Sequence, residues 1–243
     1  MTPRTAGLTV VAMLAFAANS LLCRAALAGG HSDATTFTTL RLAGGAAALL
    51  LLVSARGEPR PGHAGGWPSA VALFVYALAC SLAYLPIPAG TGALLACAAG
   101  QITMLVGGFL SGERPSPREG AGLALSLAGL VALTWPGLAQ PDPTGAALMI
   151  GAGVAWGLYS LRGRGAGDPL SVNAANVARS VPLALLASGL AFATSDLHLT
   201  AAGATLALVS GAITSGLGYA IWYAALSGLS ATRGAIVQLS VPP

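Results

Sequence analysis

From Leu82 to Ser111, and again from Leu199 to Thr232, the chain runs without a single Asp, Glu, Lys or Arg. Runs of this kind constrain the fold more than any motif. About 20 apolar residues cross a bilayer as a helix, and in lipid every backbone N–H and C=O must be bonded within a helix or a closed barrel. These runs are apolar on both faces and lack the alternation of a barrel strand, so they are transmembrane helices. Bounded by Pro, Gly or charge, spans fall at about 7–28, 34–54, 68–86, 91–111, 119–136, 144–162, 169–193 and 201–225, and a ninth begins near Leu229. Charged residues make up only 7% of the chain, against about 25% in soluble domains.

The first span looks superficially like a secretory signal, but its apolar run continues to Ala28 and more spans follow, so it is read as retained. All eleven basic residues are arginines. Beginning with Arg4, they collect in alternate connections: Arg56 and Arg60, Arg114 and Arg118, Arg162 and Arg164, then Arg233. The other connections, around His31, Leu85, Pro141 and His198, contain none. Because basic residues gather in cytoplasmic loops, this asymmetry predicts a cytoplasmic N-terminus in a multi-pass inner-membrane protein. Arginines in this arrangement orient the spans, and nucleic-acid binding is excluded as their purpose.

No catalytic constellation occurs within the spans: there is no acid pair, Ser/His pair or HExxH motif, and no Walker motif for ATP. Cys23, Cys80 and Cys97 lie in spans without metal-site spacing and read as small buried hydrophobes. His31, His63 and His198 fall in connections. The chain is therefore not expected to be an enzyme or to carry a cofactor or metal.

Arg41 is the exception inside the apolar run "TTFTTLRLAGGAAALLLLV". An arginine at the bilayer centre costs about 2.5–3.5 kcal/mol on insertion scales, so it needs a partner or a watery cavity. Arg179 interrupts a later span 138 residues further on, and Arg24 and Arg162 are separated by the same 138 residues. The first two spans thus correspond to the sixth and seventh, and the intervening odd number of helices reverses their direction. Inverted repeats of this kind are common in secondary transporters, which bind substrate between the repeats. Two roles stand for Arg41 and Arg179: a structural bridge, or a charge on a translocation path.

Asn19, Trp156, Tyr159, Tyr219, Trp222 and Tyr223 are polar or aromatic residues on spans that could line such a path. Tyr219 and Tyr223 share a helix face at i,i+4. The alternative is the interfacial aromatic belt, the reading for Trp67 and Trp135. The GxxxG spacings at Gly108–Gly112 and Gly153–Gly157 fit close helix packing, and Glu113 with Arg114 reads as a boundary pair.

The stretch "FLSGERPSPREGAGLALSLAGLVAL", residues 109–133, resembles the junction between the fourth and fifth helices of the drug/metabolite transporter superfamily, in its EamA-like branch. "TTFTTLRLAGGAAALLL" resembles that family's second helix, including Arg41. The resemblance implies an all-α integral membrane protein of two inverted five-helix repeats: residues 1–140 as the first and 141–243 as the second. About nine helices are expected here, with the ninth cut short and the tenth missing. Where the family often has a proline in helix 4, this chain has Gln101 in "AAGQITM", which joins the candidate path residues. The resemblance further implies a secondary exporter of small metabolites or drugs working by alternating access, with a small-molecule substrate and the bilayer as partners and a homodimer left open. The rival expectation is a non-transporting truncated membrane protein or an assembly partner.

Overall fold

The computed structural model describes residues 2–57, 65–113, 117, 120–122, 124–125, 128, 142–164, 166–193 and 197–238. Their regular structure is helical: α1 (Pro3–Ala28), α2 (Ala34–Ala55), α3 (Trp67–Ala83), α4 (Ala89–Leu110), α5 (Pro143–Gly163), α6 (Pro169–Phe192), α7 (Ala201–Leu226) and the short α8 (Ala231–Val237). Six of these are long and apolar enough to cross a membrane, and α3 is a shorter apolar helix. The predicted spans agree with these bounds to within a few residues. The span predicted at 119–136, with Trp135, lies mostly outside the described residues.

Short polar residues start the helices. Side chains of Thr2, Asp33, Asp142, Asp168, Thr200 and Ser230 each accept a hydrogen bond from the backbone N–H three residues on, satisfying donors that have no partner within the helix. Pro3, Pro143 and Pro169 follow three of these caps, where proline's missing N–H is harmless.

Lipid tails are as apolar as leucine, so the helices associate by close packing rather than by a hydrophobic drive. Glycine supplies that closeness. On α5, Gly153 sits against the Ala96 carbonyl and Ala99, and Gly157 against Thr103 and the Gly100 carbonyl of α4, as the GxxxG spacing predicts. Where α2 crosses α7, a Cβ on Gly45 would stand 2.9 Å from the Gly211 carbonyl oxygen, and one on Gly211 would collide with the Arg41 carbonyl. Here α7 changes winding: Ser210–Leu217 is a π-helix. Leu14, Leu51, Leu110, Leu186 and Phe192 point outward and are more than half exposed, as lipid-facing residues should be.

Each end of the bundle is tied. At the arginine-poor end, Ser32 and Leu199 form an antiparallel bridge, and the Thr200 N–H donates to the His31 carbonyl at 2.9 Å. The Asp33 carboxylate accepts from Thr35 Oγ1, the Thr36 N–H and the His198 N–H. Burial alone would raise the Asp33 carboxyl, but these hydrogen bonds outweigh it and hold the group below its ordinary range. Arg24 donates to the carbonyls of Tyr84, Leu85 and Ile87, binding α1 to the turn after α3. At the arginine-rich end, Glu113 pairs with Arg164 and accepts the Ala231 N–H at 2.9 Å. Glu113 thus meets Arg164, after α5; Arg114, read with it as a boundary pair, lies outside the described residues.

Candidate functional site

Arg41 is 1% exposed and does not snorkel. Its Nε donates to Ser215 Oγ at 2.9 Å, Nη2 to Tyr219 OH at 2.7 Å, and Nη1 contacts Cys23 Sγ at 3.5 Å. The guanidinium also lies over the Tyr76 ring, 5.7 Å from its centre, within cation–π range. Two helices make this possible. The Gly45–Gly211 crossing brings α2 onto α7, and the π-helical turn presents Ser215 and then Tyr219 to the arginine.

Asn19 on α1 completes the network. Its Oδ1 accepts from Ser210 Oγ at 2.7 Å, Thr214 Oγ1 at 3.0 Å and Ser215 Oγ at 3.3 Å. Ser215 therefore relays from Arg41 to Asn19. The polar run "SGAITSG" inside a charge-free span was the sequence signal for these hydroxyls, but nothing in it disclosed the π-winding that aims them.

Beside this network lies a cavity of about 40 Å³, lined by Phe16, Asn19, Tyr76, Cys80, Trp156 and Gln238 among others. It has room for a few waters, at about 10–15 Å³ each. Among the described residues that space is too small for a metabolite. A larger cleft of about 450 Å³ opens at the arginine-rich end, where Arg4, Arg56 and Asp168 stand above apolar walls from α1, α2 and α7; it shares no lining residue with the central cavity.

The aromatic residues picked from the sequence gather in one cluster. Trp156 packs on Tyr219 with ring centres 4.9 Å apart, on Tyr159 at 5.7 Å and on Phe16 at 5.1 Å, and Trp222 meets Phe16 at 5.8 Å. Tyr76, on α3, joins them and packs on Trp156 at 4.9 Å. Four of the cluster's polar atoms have partners: Trp156 Nε1 donates to Gln238 Oε1 at 2.6 Å, Trp222 Nε1 to Ser160 Oγ at 3.1 Å, Tyr159 OH to Asn173 Oδ1 at 2.6 Å and Tyr223 OH to the Tyr159 carbonyl at 3.0 Å. Trp67, by contrast, is 56% exposed at the start of α3.

Two predicted path residues stand apart. Arg179 is half-buried on α6 and is not among the residues lining the central cavity. Gln101 is buried, and neither polar atom of its amide has a hydrogen-bond partner among the described residues. It lies one turn along α4 from Cys97, which lines the cavity, so the two share a helix face.

A polytopic helical bundle with a charged, hydroxyl-rich centre among apolar walls is an architecture that membrane transporters use. A family model for EamA-like transporters matches residues 4–135 and 143–242, and the chain belongs to that family, within the drug/metabolite transporter superfamily. It is 54% identical over 239 residues, 98% of this chain and 83% of the relative, to an uncharacterized protein of Pseudomonas aeruginosa. A crystal structure superposes over 100% of this chain and 85% of its own with a TM-score of 0.76 at 21% identity, a likeness of fold alone.

Proposed function

We propose that the protein is a secondary exporter of small polar or amphipathic metabolites, moving them through the central cavity by alternating access between two inverted repeats. The observation that carries this reading is the Arg41–Ser215–Asn19 network beside a small central cavity, in a chain whose spans are otherwise almost free of charge. Ionisable groups inside membrane spans are expensive and mark solute paths by default. The ties at both ends fit an occluded intermediate, from which loosening one end admits solute and loosening the other releases it. The equal spacing of Arg24 with Arg162 and of Arg41 with Arg179 supports the repeat relationship.

The test is solute flux in vesicles carrying the protein, with a broad panel of labelled metabolites and empty vesicles as reference. Flux above the reference for one chemical class is expected; none across the panel would overturn the exporter reading. The arginine distribution supports a cytoplasmic N-terminus in the inner membrane. In a variant without native cysteines, an impermeant thiol reagent applied to intact cells should label cysteines placed at His31, Asp142 and His198. It should leave those placed at Arg56, Arg114 and Arg164 unlabelled. Labelling at Arg114 would reverse the orientation.

A further inference from the structure

Arg41 is a buried charge that no acid among the described residues answers. The chain has seven acidic residues. Asp33, Asp142 and Asp168 cap helices, and Glu113 is taken by Arg164 and Ala231. Glu58, Glu119 and Asp196 fall at the margins of spans in the sequence. None stands in the middle of a span.

The partners Arg41 does have are neutral: two hydroxyls, a thiol and a ring face. A guanidinium cannot shed its proton to escape burial, and it offers five N–H donors in a planar fork matched to a carboxylate. Among the described residues the three contacts take up three of the five donors, and one of the three ends on sulfur, a weak acceptor. A buried pair broken by removal of its acid would look much like this, and the energetic consequence is the same: a strong bias toward any anion that can reach the site.

The site is within reach of the cavity. Tyr76 lies under the guanidinium and Asn19 is bonded to its Ser215 partner, and both line the cavity wall. Arg41 therefore stands one layer back from the space a solute would enter. Phe16 and Trp156 form apolar wall beside it.

Resting on the exporter reading for the use of this cavity, we propose that Arg41 is the anchoring subsite for a carboxylate on the transported solute. The carboxylate takes the unused face of the guanidinium in place of the Cys23 contact, once Tyr76 turns aside. Ser215 and Tyr219 keep the fork oriented. Solutes with a carboxylate then bind better than shape-matched neutral ones.

The test uses the purified protein in nanodiscs of neutral lipid, with 3-phenylpropionate and its amide as probes and thermal shift against concentration as the readout. The wild-type comparison needs no variant: the carboxylate should bind about tenfold or more tightly than the amide, as a charge-assisted bond replaces a neutral one. Arg41→Gln should abolish that preference while leaving amide binding in place, and Arg41→Lys should keep part of it. Equal binding of acid and amide by the wild type overturns the proposal, as does failure of both to bind at their highest soluble concentrations. Chloride or inorganic phosphate stabilising the protein as well as the carboxylate would also overturn it, in favour of a site for inorganic anions. Because the readout is binding, a carboxylate preference without vesicle flux would defeat the exporter reading and leave Arg41 standing as a carboxylate-binding site alone.

Discussion

At the arginine-poor end, the α1–α2 turn is joined to the chain before α7 largely through backbone: the Ser32–Leu199 bridge, the Thr200 N–H on the His31 carbonyl, and the His198 N–H on Asp33. Arg24 adds three carbonyl contacts there. At the arginine-rich end, α4, α5 and α8 meet on a single carboxylate, Glu113. Backbone bonds survive most substitutions, whereas a side-chain pair can be removed by one change. Glu113 and Arg164 are also 28% and 24% exposed, and partly solvated pairs are weak and screened by salt. If the two ends alternate in opening, the Glu113 tie is the easier of these described ties to release, with the Gly66 N–H on Asn176 Oδ1 at 2.9 Å a second tie at that end.

The strongest way to break this contrast is to cut the arginine-poor end at its charged tie. Arg24→Ala strips a donor from three carbonyls, and because hydrogen bonds to charged groups are each worth about 1.5–3 kcal/mol, a loss of about 2–3 kcal/mol is expected. Thermal unfolding of the purified protein would measure it; a change under about 0.5 kcal/mol, the usual size of an inert surface substitution, would mean Arg24 ties nothing.

A smaller effect is expected at the other end. Glu113→Gln keeps the shape and removes the charge, for a loss of about 1 kcal/mol or less. It should raise thiol-reagent labelling of a cysteine introduced at the buried Ala231, whose N–H bonds Glu113, relative to the same cysteine with Glu113 intact. Unchanged labelling would place the closure of that end in contacts other than Glu113.

The smallest effect lies in pH. Asp33 has its folded-state pKa depressed, so its contribution is fully present above the unfolded value of about 3.9 and is lost as pH falls through the lower folded value. Asp33→Asn still caps α2, since asparagine caps helices about as well as aspartate. The gap in melting temperature between wild type and variant should therefore be widest near neutral pH and close as the solution is acidified below about pH 4. A constant gap would show that the charge of Asp33 is not what holds His198.

Much of the fold was legible because lipid makes strict demands. Charge-free runs bounded by proline, glycine or arginine had to be helices, and their ends followed from Asp33, Asp142, Asp168 and the prolines beside the last two. Arg41 announced itself by its cost, and Asn19, Trp156, Tyr159, Tyr219, Trp222 and Tyr223 were recognisable as polar or aromatic groups needing partners. The partners were not legible. Which hydroxyl meets Arg41 depends on how α7 winds, and that winding answers a contact with α2 from the other half of the chain. Gln238 for Trp156, Asn173 for Tyr159 and Arg164 for Glu113 are of the same kind: sequence states the need for a hydrogen bond, and tertiary structure chooses who meets it. The matched spacing of Arg41 and Arg179 likewise carried no information about their unequal burial.

The π-helical turn at Ser210–Leu217 makes the register of α7 depend on how many residues it holds as much as on which ones. A π-turn stores an additional residue relative to ordinary α-winding. Deleting Ala212 would let the segment relax to a regular helix, and each residue of an α-helix turns by about 100°. Tyr219, Trp222 and Tyr223 would then swing together away from Arg41 and the aromatic cluster, or Ser210 and Thr214 would swing from Asn19 instead. Length is thus a specificity element in this helix, and a single-codon deletion there would scramble contacts that no single substitution reaches.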